Sequence, residues 1–253
     1  MNDSAPVDRV RVPRQLALPF PFAPHYRAEE FMEAASNAEA LRWLCHTAAW
    51  PGARLALWGP AGCGKTHLLH IWAARHRAEL LAGPLLAAAP PAAAVAVDDA
   101  DTAPERPLLH LLNAAAEAGL PVLLAGRAAP ARWHVALPDL ASRLRAATAV
   151  QIGPAEDDLL RSLLARLLAD RQLAVPEPLQ DWLRLRLPRS QGAIREAVAR
   201  LDRAALAGGG RITRALAQAV VAGFQREMSA GLPEDDVFAN AGAIASPEAA
   251  RLL

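Results

Sequence analysis

Residues 59–66 read GPAGCGKT, and Lys65 within them is the only lysine among 27 basic side chains. The stretch fits the spacing G-x-x-x-x-G-K-[ST], in which each residue type has a physical task. Glycines let successive peptide N–H groups turn inward as a nest for an anion. A helix starting straight after the loop adds its positive end. A lysine carries a compact charge on a slim stem and fits beside a closely wrapped phosphate, whereas a guanidinium is broad and favours flat, two-pronged partners. Thr66 can offer its hydroxyl to a magnesium ion. The chemistry predicted is capture of the phosphate tail of a nucleotide. Asp98 and Asp99, which follow the apolar run AAVAV (93–97), are the natural second half. Asp98 is suited to holding magnesium through water, and Asp99 to orienting an attacking water.

The scaffold these residues need is written in the pattern of elements. ARLALW (53–58) reads as a buried strand entering the loop, and a helix is expected from Lys65 to about His76. AAVAV is a second strand, PLLHLLNAAAEAG (107–119) a helix stopped by glycine, and PVLLAG (121–126) and ATAVQI (147–152) two further strands. Strands alternating with helices predict an α/β fold, a parallel sheet with helices on both faces, with the acids at the carboxyl ends where ligands gather. A helix is also expected from Ser36, where S-N-A-E sets Ser36 and Glu39 at capping-box spacing and Leu41, Leu44 and Cys45 on one face. After Gly153-Pro154 the pattern becomes purely helical, with leucine pairs at 159/160, 163/164 and 167/168. Helices are expected over 154–171, about 177–187, 191–207 and 213–224. The predicted organisation is an extended, proline-rich arm (1–27), a nucleotide-binding core (28–153), an all-α lid subdomain (154–226) and a loose tail (227–253).

Composition narrows the function classes. A net charge of +1 with pI near 7.9 argues against a large uniform positive field for nucleic acid. Two cysteines, Cys45 and Cys63, are too few for a disulfide framework, and the N-terminus lacks the apolar run of a secretory signal, so a cytoplasmic protein is predicted. Residues 80–97 carry no charge, but Pro84, Pro90 and Pro91 interrupt them and alanine dominates, which suits a soluble core and not a membrane span. His67, His70 and His76 share one predicted helix without four-ligand spacing, so no metal cluster is expected from them.

Taken together, these motifs resemble the AAA+ ATPases, and within them the DnaA-related replication regulators of the Hda type, over about residues 13–225. FMEAASNAEAL (31–41) is similar to the family's N-terminal motif, whose Ser36 and Asn37 would frame the adenine. Residues 59–66 and 95–99 correspond to the family's Walker pair. LPDLASRL (137–144) resembles the segment of the arginine finger, at Arg143, and AIREAVARLDRA (193–204) the lid helix of the nucleotide-sensing arginine, at Arg195. QLALPF (15–20) resembles the peptide that docks on the bacterial sliding clamp. There Gln15 would hydrogen-bond at one subsite, Leu16 and Leu18 would alternate faces, and Leu18, Pro19 and Phe20 would fill an apolar pocket.

The resemblance implies a P-loop AAA+ sheet with a helical lid, and ADP or ATP with magnesium as cofactors. It implies cofactor contacts from Ser36, Asn37, Arg195, His67 and the loop residues Gly59, Pro60, Ala61, Gly62, Cys63, Gly64, Lys65 and Thr66. Thr66 and Asp98 would serve the metal, Asp99 and Arg143 the reaction. The implied partners are the DnaA initiator and the clamp's β subunit, with DNA met only indirectly and self-assembly compatible. The implied function is negative regulation of replication initiation, by promoting hydrolysis of DnaA-bound ATP. No basic recognition helix follows the lid, so duplex reading is not expected. The sequence also departs from the family. About twenty residues separate the helix after the loop from the AAVAV strand, so the usual intervening helix is expected to be shortened or lost. LLAGRAAP (123–130) has no acid beside Arg127. Asp99 leaves turnover by the chain itself open. Two other readings are an AAA+ loader or chaperone with its own ATPase cycle, and a passive clamp-binding adaptor with a structural nucleotide.

Overall fold

Short runs rich in Leu, Val and Ala form β1 (Arg54–Trp58), β2 (Glu79–Ala82), β3 (Val95–Asp98), β4 (Val122–Gly126) and β5 (Thr148–Gln151). The computed structural model describes residues 26–208 and 211–230, so the expected clamp peptide with Gln15, Leu16, Leu18, Pro19 and Phe20 lies outside them, as do residues 231–253. All pairings are parallel, in the order β2-β3-β4-β1-β5. Registers Trp58↔Gly126 and Trp58↔Gln151 bring the strands' carboxyl ends to one edge, so the loop after β1 and Asp98 at the end of β3 open on the same side.

Strand alternation makes two cores. Leu55 and Leu57 pack with Ala40 and Leu44 of α1 (Ala38–Cys45) and with Leu68, Leu69 and Trp72 of α2 (Lys65–His76). Ala56 faces the other way, toward Leu108, Leu111 and Leu112 of α3 (Glu105–Glu117) and Leu140 and Leu144 of α4 (Pro138–Arg145). Each fully buried leucine contributes about 1.5–3 kcal/mol. A third core belongs to the lid, built from α5 (Asp157–Asp170), α6 (Glu177–Arg184), α7 (Gln191–Gly208) and α8 (Arg214–Ala230). The three leucine pairs of α5 are all buried there, against Leu183, Ile194, Val198, Leu201 and Val221.

Three expectations need correction. β2 is a fifth strand, which starts at Glu79 and runs into the stretch read as uncharged. It is a four-residue edge strand with no buried position, so it leaves no periodic signal. A 3-10 turn at Gly83–Leu85 follows it, and, as the short spacing implied, no α-helix lies between α2 and β3. The capping box does not form: α1 begins at Ala38, after Asn37, with no side-chain cap. The Ser36 N–H instead donates to Glu156 Oε1 at 2.8 Å, and the Asn37 amide is used within the preceding turn. This later start buries Ala40 and Leu44, spaced i, i+4, and leaves Cys45 exposed. Among the described residues no helix is long and apolar enough to cross a membrane, and no His, Cys, Asp and Glu cluster could hold a metal ion by itself.

Candidate functional site

The loop after β1 turns through glycines that no other residue could replace without strain. Gly62 and Gly64 have φ of +74° and +109°, and a Cβ on Gly62 would lie 2.6 Å from Ser190 Cβ. Lys65, the first residue of α2, is only 8% exposed, and its Nζ donates to the carbonyls of Gly59 at 2.8 Å and Pro60 at 3.0 Å. Thr66 Oγ1 donates to Asp98 Oδ2 at 2.7 Å, so the hydroxyl and carboxylate singled out in separate motifs meet. Two hard oxygen donors side by side suit magnesium, which is bound through one or two protein oxygens together with phosphates and water. Asp98 Oδ1 accepts from the Asp99 N–H, and Asp99 is held at φ +47°, a left-handed conformation uncommon outside glycine. Cys63 is buried in the core beneath the loop, and burial pushes its thiol above the usual range while the Lys65 charge partly offsets this.

The lid closes over the loop. Ser190 Oγ caps α7 by accepting from the Ala193 N–H at 3.1 Å, and the Gln191 N–H donates to the Gly62 carbonyl at 3.2 Å. Between loop and lid lies a cavity of about 630 Å³, bordered by Gly62, Gly64, Lys65, Thr66 and His67 on one side and Gln191, Arg195 and Glu196 on the other. That volume is in the range of small-molecule sites. Tyr26 and Glu30, with Leu167, Asp170 and Arg171 at the end of α5, complete its wall. Tyr26 stacks on His70 with ring centroids 4.2 Å apart, Phe31 meets His67 edge-on, and Met32 joins the lid core.

His67 and Arg195 link these parts. His67 is 4% exposed; its Nε2 lies 2.8 Å from the Arg27 carbonyl and must donate to it. Its Nδ1 is therefore the acceptor toward Arg195 Nη2 at 3.4 Å. Burial holds the imidazole below its usual pKa, only partly opposed by the Arg27 hydrogen bond. Arg195 also donates to the Glu30 carbonyl at 3.3 Å and lies 3.9 Å from its carboxylate. Burial lowers the Arg195 pKa, with Glu30 opposing. Burial and then the Asp98 charge raise the Tyr26 phenol.

Of the residues expected to contact a cofactor, Gly62, Gly64, Lys65, Thr66, His67 and Arg195 border the cavity. Gly59 and Pro60 hold Lys65 from behind, and Ala61 is exposed at the loop tip. Ser36 and Asn37 do not border it. Asn37 is 1% exposed and ties Met32 to Ala34, while the Ser36 carbonyl accepts from Gly153 at 2.9 Å, so both set the path of the segment leading to the cavity. Arg143 stands apart, in the last turn of α4 at the opposite end of the sheet. It makes no hydrogen bond or ion pair among the described residues. An acid does approach this position in space: Asp101 Oδ2 accepts from the backbone N–H of Arg127 at 2.7 Å. Sequence reasoning missed Tyr26, Glu30, Ser190 and Gln191. The serine at the start of AIREA's helix was a readable cap, whereas nothing local marks the other three.

No family model matches the sequence, and no curated protein matches it. Solved structures do. Domain III of the replication initiation protein DnaA from Thermotoga maritima superposes with a TM-score of 0.67 at 17% identity, covering 81% of this chain and 99% of that one. AMPPCP-bound DnaA from Aquifex aeolicus gives 0.58 at 18% identity, covering 70% of this chain and 65% of that one. The Thermotoga maritima RuvB Holliday junction branch migration motor gives 0.51 at 17% identity, covering 67% and 61%. The chain thus spans nearly all of the isolated DnaA domain but just under two thirds of the longer proteins. At such identities the likeness establishes the fold alone: a five-stranded parallel sheet flanked by helices with a C-terminal helical unit, as in these DnaA and RuvB structures.

Proposed function

We propose that this chain is an adenine-nucleotide-binding regulator of chromosomal replication initiation. Tethered to the sliding clamp by residues 15–20, it promotes hydrolysis of ATP carried by a DnaA-type partner. In its own cavity the loop N–H groups and Lys65 would receive the phosphates of ADP or ATP, and Arg195 would meet them from the lid. Thr66 and Asp98 would hold magnesium, which neutralises phosphate charge.

One observation carries the step from nucleotide binder to regulator. Arg143 has no acidic partner among the described residues and no place in the chain's own cavity. A fixed cation contributes to phosphoryl transfer where charge spreads over the transferring group, and a finger supplied by a second protein is worth about 10³–10⁵ in rate. The test is hydrolysis of ATP by purified DnaA-type initiator in the presence of this chain and clamp-loaded DNA. Strong stimulation is expected with the intact chain and loss of about a thousandfold or more of it with Arg143→Ala. Gln15→Ala combined with Phe20→Ala should remove the clamp dependence while leaving ADP binding intact. Stimulation that survives Arg143→Ala refutes the reading and favours the passive adaptor. ATP turnover by the chain alone favours an intrinsic cycle, for which the Asp98-Asp99 pair beside Thr66 is the supporting feature.

A further inference from the structure

Arg54 opens β1, and its position opposite Val122 and next to Leu55↔Thr148 sets it at the amino end of the sheet. It shares a face with Ala56, the face covered by α3 and α4. Its Nε and Nη1 are buried and have no hydrogen-bond partner. No carboxylate pairs with it among the described residues, and none pairs with Arg143, including Asp139 one turn earlier on α4. Arg143 reaches this end because α4 closes at Ala146 and feeds β5, whose first residue lies beside Leu55. Arg54 and Arg143 thus stand at the same end of the sheet, and burial first, then the Arg143 charge, lower the Arg54 pKa.

A part-buried cation with unpartnered N–H groups is costly, and an apolar residue of similar volume is often as stable or more so. A pair of like charges here weakens the fold unless an anion relieves it. The relief that fits is an anion arriving from outside at the half-exposed Arg143, with the part-buried Arg54 behind it, where its field is less screened than in open water.

We propose that Arg54 is a positioning residue for Arg143: the two form one anion receptor at the amino end of the sheet, whose ligand is the terminal phosphate of a nucleoside triphosphate bound by the partner. Arg54 keeps Arg143 extended toward the partner by repulsion and adds a second positive charge under the phosphate. This rests on the function proposed above and extends it to a residue outside the finger segment.

The experiment has two arms, both on the full chain with excess ADP. In the first, partner ATP hydrolysis is measured with Arg54→Met, Arg54→Lys and Arg143→Ala, alongside thermal unfolding of each variant. Arg54→Met should lower stimulation about tenfold and flatten its dependence on salt. Its melting temperature should be unchanged or raised, the reverse of what a merely structural arginine would give. Arg54→Lys should recover stimulation to within about threefold, since the charge and not the fork is required. In the second arm, the arginine Nε–Hε NMR signals are followed during titration with inorganic tripolyphosphate. Arg54 and Arg143 should respond with one midpoint, moving about tenfold weaker for Arg143 in Arg54→Met. Full stimulation by Arg54→Met while Arg143→Ala is inactive overturns the inference and leaves the proposed function standing. An unchanged Arg143 midpoint in Arg54→Met overturns it too. If the intact chain gives no stimulation, the proposed function falls, and the tripolyphosphate titration alone decides whether the receptor exists.

Discussion

Lys65 sits between two carbonyl oxygens at hydrogen-bond distance, in a space sized for an ammonium. Lys65→Arg keeps the charge but cannot keep the fit, and ADP affinity by calorimetry should fall about 10–100-fold, the worth of one charged hydrogen bond. His67 gives a prediction in pH. Its folded pKa lies below the ordinary value near 6.5, so the unfolded chain takes up the proton first. The stability it contributes is complete above about pH 6.5 and is lost as pH falls through that value toward the folded pKa. His70 and His76 are shifted the same way by burial, so the measurement is a difference. Denaturant unfolding between about pH 5.5 and 7.5 should show a steeper fall for the wild type than for His67→Gln. Lys65 and its loop were legible because their tasks are local to eight consecutive residues. The His67–Arg195 contact was not, since it joins side chains 128 positions apart.

Elements show the same division. Strands buried on both faces and the leucine-paired α5 announce themselves by composition and period, and they stand where the sequence expects them. The edge strand β2 did not, because an exposed four-residue strand owes its form to β3 and not to its own side chains. Docking of α7 on the loop was also invisible, being set by the absence of a side chain at Gly62 opposite Ser190. Gly62→Ala should therefore act on the lid more than on the sheet. Both its left-handed backbone and its contact resist a methyl group, at a cost of about 1–3 kcal/mol. Hydrogen exchange should quicken at the start of α7, around residues 191–195, while β1 and β4 stay protected; equal acceleration in both would refute the assignment of that contact.

Across the whole molecule, two units with separate hydrophobic cores meet along the cavity, joined by residues 26–31. A ligand held by both units stabilises the folded chain by about 2.7 kcal/mol at one hundred times its dissociation constant. For a chain of this size that raises the melting temperature by about 5–10 °C. ADP should give this shift and Lys65→Ala should abolish it; an unshifted wild type would deny the cavity its nucleotide. The rarity of lysine has a practical side as well. The other 26 of the 27 Lys and Arg side chains are arginine, which acylating reagents for primary amines leave untouched, so the chain carries one primary-amine side chain for them, shielded at the floor of the cavity between loop and lid. Labelling at that atom, assigned by peptide mass spectrometry so that the terminal α-amine is counted apart, would report occupancy directly.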